Sequence, residues 1–426
     1  MIFSLLLHHA CSRAQTLKMK MSPLNKLASL RWTVVEDRPC GERLLATNYA
    51  CVHKFTPHLS MKILILLVLL ISFAGRVSHA AADESPAIFR VGIVGLVHDH
   101  AQGFIADLLS RTDVELAGIA ESDPVLVARY TDRYKLSPSL FHPTLERLLD
   151  RTDVRAVAVC SSTFDHAKIV EECAARGVHV MVEKPLAVSL KHAHSIAEAA
   201  KKGGIHVIVN YETTWYPSTQ AAAMQVNEKR AIGELRKIVV HDGHEGPKEI
   251  GASAEFLSWL TDPVLNGGGA LTDFGCYGAN LITWLMANQR PLSVTAVLQT
   301  LKPAVYPKVD DEATIVLTYP TAQGIIQASW NWPFGRKDME IYGASGSVLA
   351  PDRNLLRIRS GKTQRDERVA ALEGPQGNPL SYFAAVVRGE IVPSGLSSLE
   401  NNLIVTEILD AARQSALTGR RVDLAE

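Results

Sequence analysis

The sequence predicts an α/β protein in which a doubly wound parallel sheet is followed by an α+β domain with a large, mostly antiparallel open sheet. From Phe89, short apolar runs alternate with amphipathic stretches, as expected of parallel strands that helices cover on both faces. After about Tyr211 the apolar segments are longer and alternate with polar residues, which is typical of antiparallel strands. The 426-residue chain is 47% hydrophobic and 21% charged, so it has enough apolar sequence for two cores.

The first domain, predicted over residues 86–210, alternates five strands with four helices. The predicted strands are Phe89–Gly95, Val114–Ala120, Val154–Cys160, Val178–Val182 and His206–Asn210. The predicted helices are Gln102–Ser110, Pro124–Tyr134, His166–Arg176 and Leu190–Lys201. Glycines at 177 and 203–204 end two of these helices.

The second domain, predicted over residues 211–426, is richer in strands. The predicted strands are Lys237–Asp242, Leu292–Leu301, Ala313–Tyr319, Gly324–Trp330 and Met339–Tyr342. A helix runs from Asp273 to about Met286, and Leu399–Leu417 is a long amphipathic helix. An open face of this sheet leads us to expect a homodimer or homotetramer.

The segment 61–82 has the features of a secretory signal peptide. Met61-Lys62 precedes an apolar run over 63–74, and small residues follow before Ala81. We therefore expect a periplasmic or secreted protein without a stable membrane span in its mature form, because the run is too short to span comfortably. Residues 1–60 are then either untranslated, because the true start is Met61, or a disordered extension. The alternative is that residues 1–60 are a real N-terminal arm and the apolar run is a short anchor.

Charge and cysteine content favour a small-molecule partner. The chain has 44 basic and 44 acidic residues and no long basic run, so nothing indicates a nucleic acid partner. Cys160 and Cys173 fall in predicted strand and helix positions, where we expect buried free thiols. No cysteine or histidine spacing indicates zinc, and we predict no metal.

A loop between the first strand and the first helix is placed where dinucleotide-binding domains of the Rossmann type carry their glycine fingerprint. Gly95 supplies the tight turn, but Val97 and His100 stand where the second and third glycines are usual. His98 lies between them and is included among the predicted cofactor contacts. We expect Val97 to push the phosphates outward or to change the path of the loop. The alternative is a plain strand–helix turn.

Glu121 ends the second strand, where a carboxylate accepts hydrogen bonds from both ribose hydroxyls. A carboxylate repels a 2'-phosphate, which favours NAD over NADP. The alternative is that Glu121 caps the helix that begins at Pro124.

Polar residues also follow later strands at the same edge of the sheet. Ser161, Thr163 and His166 follow the third predicted strand, and Glu183 and Lys184 end the fourth. We predict that all five contact the cofactor, with a solvated His166 as the alternative. Pro185 favours an extended backbone at Lys184 and so aims its side chain into the crevice.

A glycine-rich segment over 267–280 supplies candidate proton-transfer residues. Asp273 and Tyr277 are one helical turn apart, so both can face one pocket, and Asn280 lies one turn further on. Tyrosine, with a pKa near ~10, is a poor base until an ammonium such as that of Lys184 stabilises its phenolate. The alternative is that Tyr277 is buried against the sheet.

With these motifs together, the chain from roughly residue 88 to 424 resembles the Gfo/Idh/MocA oxidoreductases, on the glucose-fructose oxidoreductase-like branch. The resemblance implies that Lys184 contacts the reacting hydroxyl and that Asp273 binds substrate. Tyr277 stands where inositol dehydrogenase-like members have histidine, and becomes the proton donor or acceptor. The predicted catalytic residues are Lys184, Tyr277 and Asp273.

Two further segments supply predicted substrate contacts. The segment 241–245 ends a strand in a polar loop, and we interpret His244 as a hydroxyl ligand rather than part of a metal cluster. Trp332 is placed to stack on a sugar ring or to cover a sheet or dimer surface. Arg336 or Lys337 is placed to bind a carboxylate. The predicted substrate-binding residues are His244, Asn280, Trp332 and Arg336.

These features predict an NAD(P)-dependent oxidoreductase that acts on a hydroxyl of a sugar or sugar derivative, with Tyr277 and Lys184 handling the proton. The alternatives are an NAD-dependent, redox-neutral glycoside hydrolase and a non-catalytic sugar or nucleotide sensor.

Overall fold

Two β-sheets organise the part of the chain that the computed structural model describes, namely residues 88–150 and 154–424. The predicted signal peptide at 61–82 and the segment before it lie outside this part. Among the described residues, no helix is both long enough and apolar enough to span a bilayer.

The first sheet has six parallel strands in the order β3-β2-β1-β4-β5-β6. The strands are β1 (Phe89–Val94), β2 (Val114–Ala120), β3 (Phe141–His142), β4 (Ala156–Val159), β5 (His179–Glu183) and β6 (Val207–Asn210). The chain order reverses between β1 and β4, and ligands of such sheets bind at this point, beyond the carboxyl ends of the strands. The predicted Rossmann-type sheet is confirmed.

Five helices cover this sheet: α1 (His100–Ser110), α2 (Pro124–Tyr134), α3 (Leu145–Leu149), α4 (His166–Ala174) and α5 (Leu190–Gly203). The Asp123 carboxylate caps α2 by accepting from the N–H of Val125. Glu121 is therefore not the cap of this helix. Gly204, with φ of 64°, ends α5 in the left-handed conformation.

The second sheet has nine strands in the order β14-β13-β12-β11-β7-β10-β9-β8-β15. They are β7 (Leu235–Gly243), β8 (Ser293–Gln299), β9 (Glu312–Thr318), β10 (Gln323–Ser329), β11 (Arg336–Gly343), β12 (Gly346–Ala350), β13 (Leu355–Ser360), β14 (Thr363–Arg368) and β15 (Val422–Asp423). Among the described pairs of this second sheet only β7 and β10 run in parallel, so the prediction of a mostly antiparallel sheet is confirmed.

Six more helices belong to this half: α6 (Pro217–Ala223), α7 (Ala254–Leu260), α8 (Ala270–Asp273), α9 (Gly275–Leu285), α10 (Pro379–Val387) and α11 (Leu399–Thr418). Gly278 lets α9 lie close to β10, because a Cβ at this position would fall 2.4 Å from the Ile326 side chain. Helix α10 instead packs on the first sheet, where Phe383 meets Phe89 edge to face at 5.7 Å. The two sheets thus share one compact unit.

The three cysteines of the described part, Cys160, Cys173 and Cys276, are buried free thiols. Burial raises the pKa of the Cys173 thiol to about 12, which keeps it protonated and unreactive. The prediction for Cys160 and Cys173 is therefore confirmed.

Candidate active site

A cavity of about 320 Å³ lies where the carboxyl ends of β1 and β5 face the second sheet. Residues from both halves of the chain contribute to its wall. The residues that line it are His98, Asp99, His100, Lys184, His244, Pro247, Ile250, Gly251, Ala252, Phe256, Leu260, Asp273, Phe274, Tyr277 and Lys337. The three predicted catalytic residues therefore meet in one cavity.

A buried ion pair between Lys184 and Asp273 joins the two halves of this cavity. The Nζ of Lys184 donates to Asp273 Oδ1, and lies 3.2 Å from the Asp273 carbonyl oxygen. Asp273 Oδ2 accepts from the indole N–H of Trp330 at 3.0 Å. Burial alone would lower the pKa of Lys184 and raise that of Asp273, but their mutual attraction outweighs it: the pKa of Lys184 is raised and that of Asp273 is lowered. Both groups are charged near neutral pH.

Tyr277 packs beside this ion pair. Its ring centroid lies 5.2 Å from the Nζ of Lys184 and 4.8 Å from that of Lys337. Burial, together with the nearby carboxylates of Glu212 and Asp273, raises the pKa of Tyr277 well above its usual value. We expected Lys184 to favour the phenolate, but its charge is engaged by Asp273, so Tyr277 keeps its proton in the resting protein.

The loop after β1 is held by a hydrogen-bonded chain that sequence reasoning did not predict. His100 Nδ1 lies 3.0 Å from Glu183 Oε2, and Glu183 Oε1 accepts from Asn210 Nδ2 at 2.8 Å. Burial would raise the pKa of Glu183, but the neighbouring His100 and these hydrogen bonds lower it to about 2. Glu183 is therefore a buried carboxylate whose two oxygens are taken by protein groups.

His98 is a neutral imidazole in the wall of the cavity. Burial lowers its pKa well below the usual value. Its Nδ1 accepts from the backbone N–H of His100 at 3.1 Å, so the proton lies on Nε2, which has no partner. Donor atoms of His98, His100 and Glu183 are within 4.8 Å of one another, but this tautomer leaves His98 without a free lone pair for a metal.

The turn at Gly95 requires a glycine. Gly95 has φ of 81°, and a Cβ there would lie 3.0 Å from the Cys160 carbonyl oxygen. Glu121 stands at the end of β2 as predicted, and its Oε2 accepts from the N–H of Leu96 at 2.9 Å. The carboxylate thus stabilises the loop after β1, and it stands at the end of β2, where such a carboxylate would contact a ribose.

A segment over 253–260, comprising Ser253 and helix α7, covers the same loop and was not predicted. The indole N–H of Trp259 donates to the carbonyl of Val97 at 3.2 Å, and Asp99 Oδ2 accepts from the N–H of Ser253 at 3.0 Å. The His98 ring packs against Phe256 at 4.7 Å. The loop that carries Val97 in place of the usual second glycine is therefore covered directly by segment 253–260.

The residues after β4 are largely engaged within the protein. Ser161 Oγ donates to the carbonyl of Ser162, and Thr163 Oγ1 lies 3.1 Å from Asn266 Oδ1. His166 is buried, and its Nδ1 lies 3.1 Å from the Leu186 carbonyl oxygen. The alternative of a solvated His166 is therefore wrong. A cofactor contact from Ser161, Thr163 or His166 stays a prediction.

Of the predicted substrate contacts, His244 lines the cavity and Asn280 does not. His244 Nδ1 accepts from the N–H of Gly246 at 2.9 Å, and burial lowers the pKa of the imidazole, so its Nε2 carries the proton. Asn280 is buried in the core, where its amide donates to the Leu396 carbonyl at 2.8 Å. The prediction that Asn280 contacts substrate is wrong because α11 and the turn before it cover that side of α9.

Trp332 and Arg336 also lie outside the cavity wall. Arg336 pairs with Asp338 at 2.6 Å and stacks over the Trp332 ring at 5.7 Å. Its neighbour Lys337, on the other face of β11, lines the cavity and pairs with Glu212. Of the two basic residues considered at this turn, Lys337 is the one that faces the site, and the assignments of Arg336 and Trp332 are corrected accordingly.

Sequence comparison agrees with this architecture. Residues 89–211 match a family described as an oxidoreductase family with an NAD-binding Rossmann fold, and residues 221–349 match the GFO/IDH/MocA C-terminal domain. The chain belongs to the Gfo/Idh/MocA oxidoreductase family. It is an oxidoreductase acting on CH–OH groups, and the predicted cofactor, NAD, agrees with the family's NAD-binding fold.

Individual members of the Gfo/Idh/MocA family are distant in sequence. Inositol 2-dehydrogenase from Rhizobium meliloti (strain 1021) is 22% identical over 347 residues, which are 78% of this chain and 97% of that enzyme. Levoglucosan dehydrogenase from Pseudarthrobacter phenanthrenivorans is 28% identical and covers 59% of this chain and 69% of the enzyme. An inositol dehydrogenase homolog from Azotobacter vinelandii, solved with NAD⁺, superposes with a TM-score of 0.70 at 21% identity over 80% of this chain and 98% of its own.

Proposed function

We propose that this protein is an NAD-dependent oxidoreductase acting on a hydroxyl or the matching carbonyl of a sugar or sugar derivative. The observation that carries the proposal is the buried Lys184–Asp273 pair beside a protonated Tyr277, in a cavity at the nucleotide-binding edge of the first sheet. The named activities of the relatives on inositol and levoglucosan support a polyhydroxylated substrate.

Lys184 and Tyr277 have different roles at the substrate oxygen. Lys184 Nζ donates a hydrogen bond to that oxygen and stabilises negative charge on it. Tyr277 Oη exchanges the proton: a carbonyl substrate gains a hydride at carbon and the Tyr277 proton at oxygen, and an alcohol substrate reverses both transfers. Because its pKa is raised, Tyr277 carries its proton in the resting protein and is present in the form that reduction of a carbonyl requires of a proton donor. When bound, the nicotinamide cofactor supplies or accepts the hydride.

Other chain groups orient the two ligands. Asp273 holds the Lys184 ammonium in place, and the Nε2–H of neutral His244 donates to a second substrate hydroxyl. Gly95 and the start of α1 would hold the pyrophosphate of NAD, and Glu121 would hold its ribose. The Glu121 carboxylate opposes a 2'-phosphate, so we propose NAD rather than NADP.

A redox-neutral glycoside hydrolase is the second candidate, favoured by the cover of segment 253–260 over the glycine loop. A cofactor enclosed in this way is retained and returned to its starting state within one turnover. Such an enzyme oxidises a ring carbon by passing its hydride to the cofactor, eliminates the aglycone, adds water to the double bond that is left, and returns the hydride to the sugar.

The experiment that tests the proposal begins with protein expressed from Met61 and purified without added cofactor. The nucleotide released on denaturation is identified by mass, and inositol, levoglucosan and aldoses are assayed for NADH production. Tyr277→Phe and Lys184→Met should each reduce turnover at least about 100-fold, whereas Trp332→Phe, outside the cavity wall, should retain it. Aglycone release without net NADH would favour the hydrolase, and a protein that binds no NAD would refute both candidates.

We also propose export through the signal peptide at 61–82. N-terminal sequencing of the native protein should find a start near Ala81. A peptide from within residues 1–60 in the native protein would contradict the assignment of Met61 as the first residue.

A further inference from the structure

His100 lines the catalytic cavity and has no role in the proton transfer assigned to Tyr277 and Lys184. It begins helix α1, at the position where a dinucleotide fingerprint usually has its third glycine. Tyr277 and Lys184 are buried, whereas the side chain of His100 is 46% exposed. His100 is therefore in contact with both the cavity and the solvent.

A chain of hydrogen bonds fixes the orientation of the His100 ring. The indole N–H of Trp215 donates to Asn210 Oδ1 at 2.8 Å, so Asn210 directs its Nδ2 to Glu183 Oε1, also at 2.8 Å. The other oxygen of Glu183, Oε2, lies 3.0 Å from His100 Nδ1. Because Glu183 is ionised and can only accept, the proton of a neutral His100 is on Nδ1 and the free lone pair is on Nε2. Among the described residues, no group bonds to this Nε2.

Oxidation of an alcohol releases a proton, and the other ring and amine groups of the cavity wall are poor acceptors for it. Tyr277 and Lys184 hold their own protons in the resting protein. The Nδ1 atoms of His98 and His244 accept from backbone N–H groups, so their Nε2 atoms carry the protons and act as donors. Of the described histidines that line the cavity, His100 is the one with a ring nitrogen free to accept.

The carboxylates at the cavity are not better acceptors. Asp273 is a member of the buried ion pair, and Asp99 accepts from a backbone N–H. Burial would raise the pKa of Glu212, which lies near Tyr277, but its ion pair with Lys337 lowers it. Paired and hydrogen-bonded carboxylates hold a proton poorly near neutral pH, whereas imidazole exchanges protons in that range.

We propose that His100 is the proton acceptor at the end of alcohol oxidation in this cavity and that Glu183 positions its ring, an inference that rests on the proposed oxidoreductase function. As the substrate carbon passes its hydride to the nicotinamide, the substrate hydroxyl gives its proton to Tyr277, and the proton of Tyr277 passes through the cavity to Nε2 of His100. The half-exposed imidazolium then releases a proton to solvent. Reduction of a carbonyl uses the same steps in reverse, so the loss of His100 should slow both directions.

Nitrogen NMR of protein with isotope-labelled histidine tests the arrangement without a catalytic assay. Neutral His100, identified by the loss of its signals in His100→Asn, should carry its proton on Nδ1, whereas His98 and His244 should carry theirs on Nε2. In Glu183→Gln the amide oxygen stays with Asn210, so the amide nitrogen donates to His100 Nδ1 and the ring proton moves to Nε2. An Nε2 proton on His100 in the wild type, or one tautomer in both proteins, would overturn the proposal.

Chemical rescue separates proton acceptance from a structural role. Asparagine places its amide nitrogen where Nδ1 of histidine stands, so His100→Asn keeps the hydrogen bond to Glu183 and loses Nε2. Its turnover should fall at least about 100-fold, and added imidazole should restore it at least about tenfold. Glu183→Gln should also be slow but should not respond to imidazole, because the His100 ring still fills its place. His194→Gln changes an exposed histidine of α5 outside the cavity wall and should keep wild-type turnover.

The two readouts distinguish a failure of this role from a failure of the oxidoreductase function. Wild-type turnover in His100→Asn, or a low turnover that imidazole does not raise, would contradict the role of His100 and leave the oxidoreductase function intact. The expected tautomers in a protein that forms no NADH from any of the sugars would refute the oxidoreductase function, and the role of His100 with it.

Discussion

Replacing Asp273 with asparagine should destabilise the protein far more than its small change in shape implies. Both side chains of the Lys184–Asp273 pair are 7% exposed. Removing one partner of a buried pair leaves the other charge uncompensated and costs about 3–5 kcal/mol. Asparagine can still accept from Trp330, so we expect the lower end of this range, a loss of about 3 kcal/mol in the free energy of unfolding.

The compensating variant makes the prediction specific to charge. Lys184→Met combined with Asp273→Asn removes both charges while retaining similar volumes, and should recover at least half of the lost stability. Urea unfolding followed by circular dichroism gives the midpoint for the wild type, both single variants and the double variant. All three variants should have low turnover. A loss below about 1 kcal/mol for Asp273→Asn, or a double variant no more stable than the singles, would refute the buried-pair reasoning.

Three further perturbations follow from the described contacts. The pKa of Glu183 falls from 4.5 to about 2 on folding, so ionised Glu183 contributes about 3 kcal/mol to the free energy of unfolding above pH 4.5, and this contribution is lost as the pH falls toward 2. In Glu183→Gln the free energy of unfolding should therefore depend less on pH between 4.5 and 2. The same pH dependence in the variant and the wild type would contradict the assignment. Asn280→Ala should cost about 2 kcal/mol in urea unfolding yet leave the substrate KM unchanged, whereas a raised KM would restore Asn280 as a ligand. Trp259→Phe removes the hydrogen bond to Val97, worth about 1 kcal/mol, and should speed NAD release about fivefold in stopped flow; an equal release rate would show that segment 253–260 does not restrain the cofactor.

Much of the first sheet could be predicted from sequence because its strands are short apolar runs with clear boundaries. Val114–Ala120 and Pro124–Tyr134 have the predicted ends. Strand β3 was missed since two residues are too few for a pattern, and β14 because all six of its residues are exposed and none is apolar. Periodicity depends on burial of one face, and a strand without a buried face leaves no signal.

The site could be predicted where local geometry determines it. Lys184 directly follows the parallel strand β5, at the edge of the sheet where ligands bind, so its place at the crevice could be predicted. Asn280 could not be placed, since its amide is satisfied by Leu396, which is distant in sequence. The wrong assignment of Arg336 could have been avoided. Residues two apart on a strand share a face, so Arg336 lies beside Asp338 and pairs with it, whereas Lys337 faces the other way, toward the cavity. Segment 253–260 also left a signal, in the serine cap and the apolar spacing from Phe256 to Leu260.

Helix α10 makes the order of synthesis matter for this chain. It covers the first sheet, and Phe383 completes the core around Phe89, yet it is made long after the last strand of that sheet, which ends at Asn210. At about 5–20 residues per second, the ribosome needs roughly 10 to 30 s to pass from β6 to α10. Through that interval the nascent nucleotide-binding half exposes an unfinished apolar face, which is the kind of surface that a chaperone binds. Truncation at the boundary between the two sheets would make this transient state permanent.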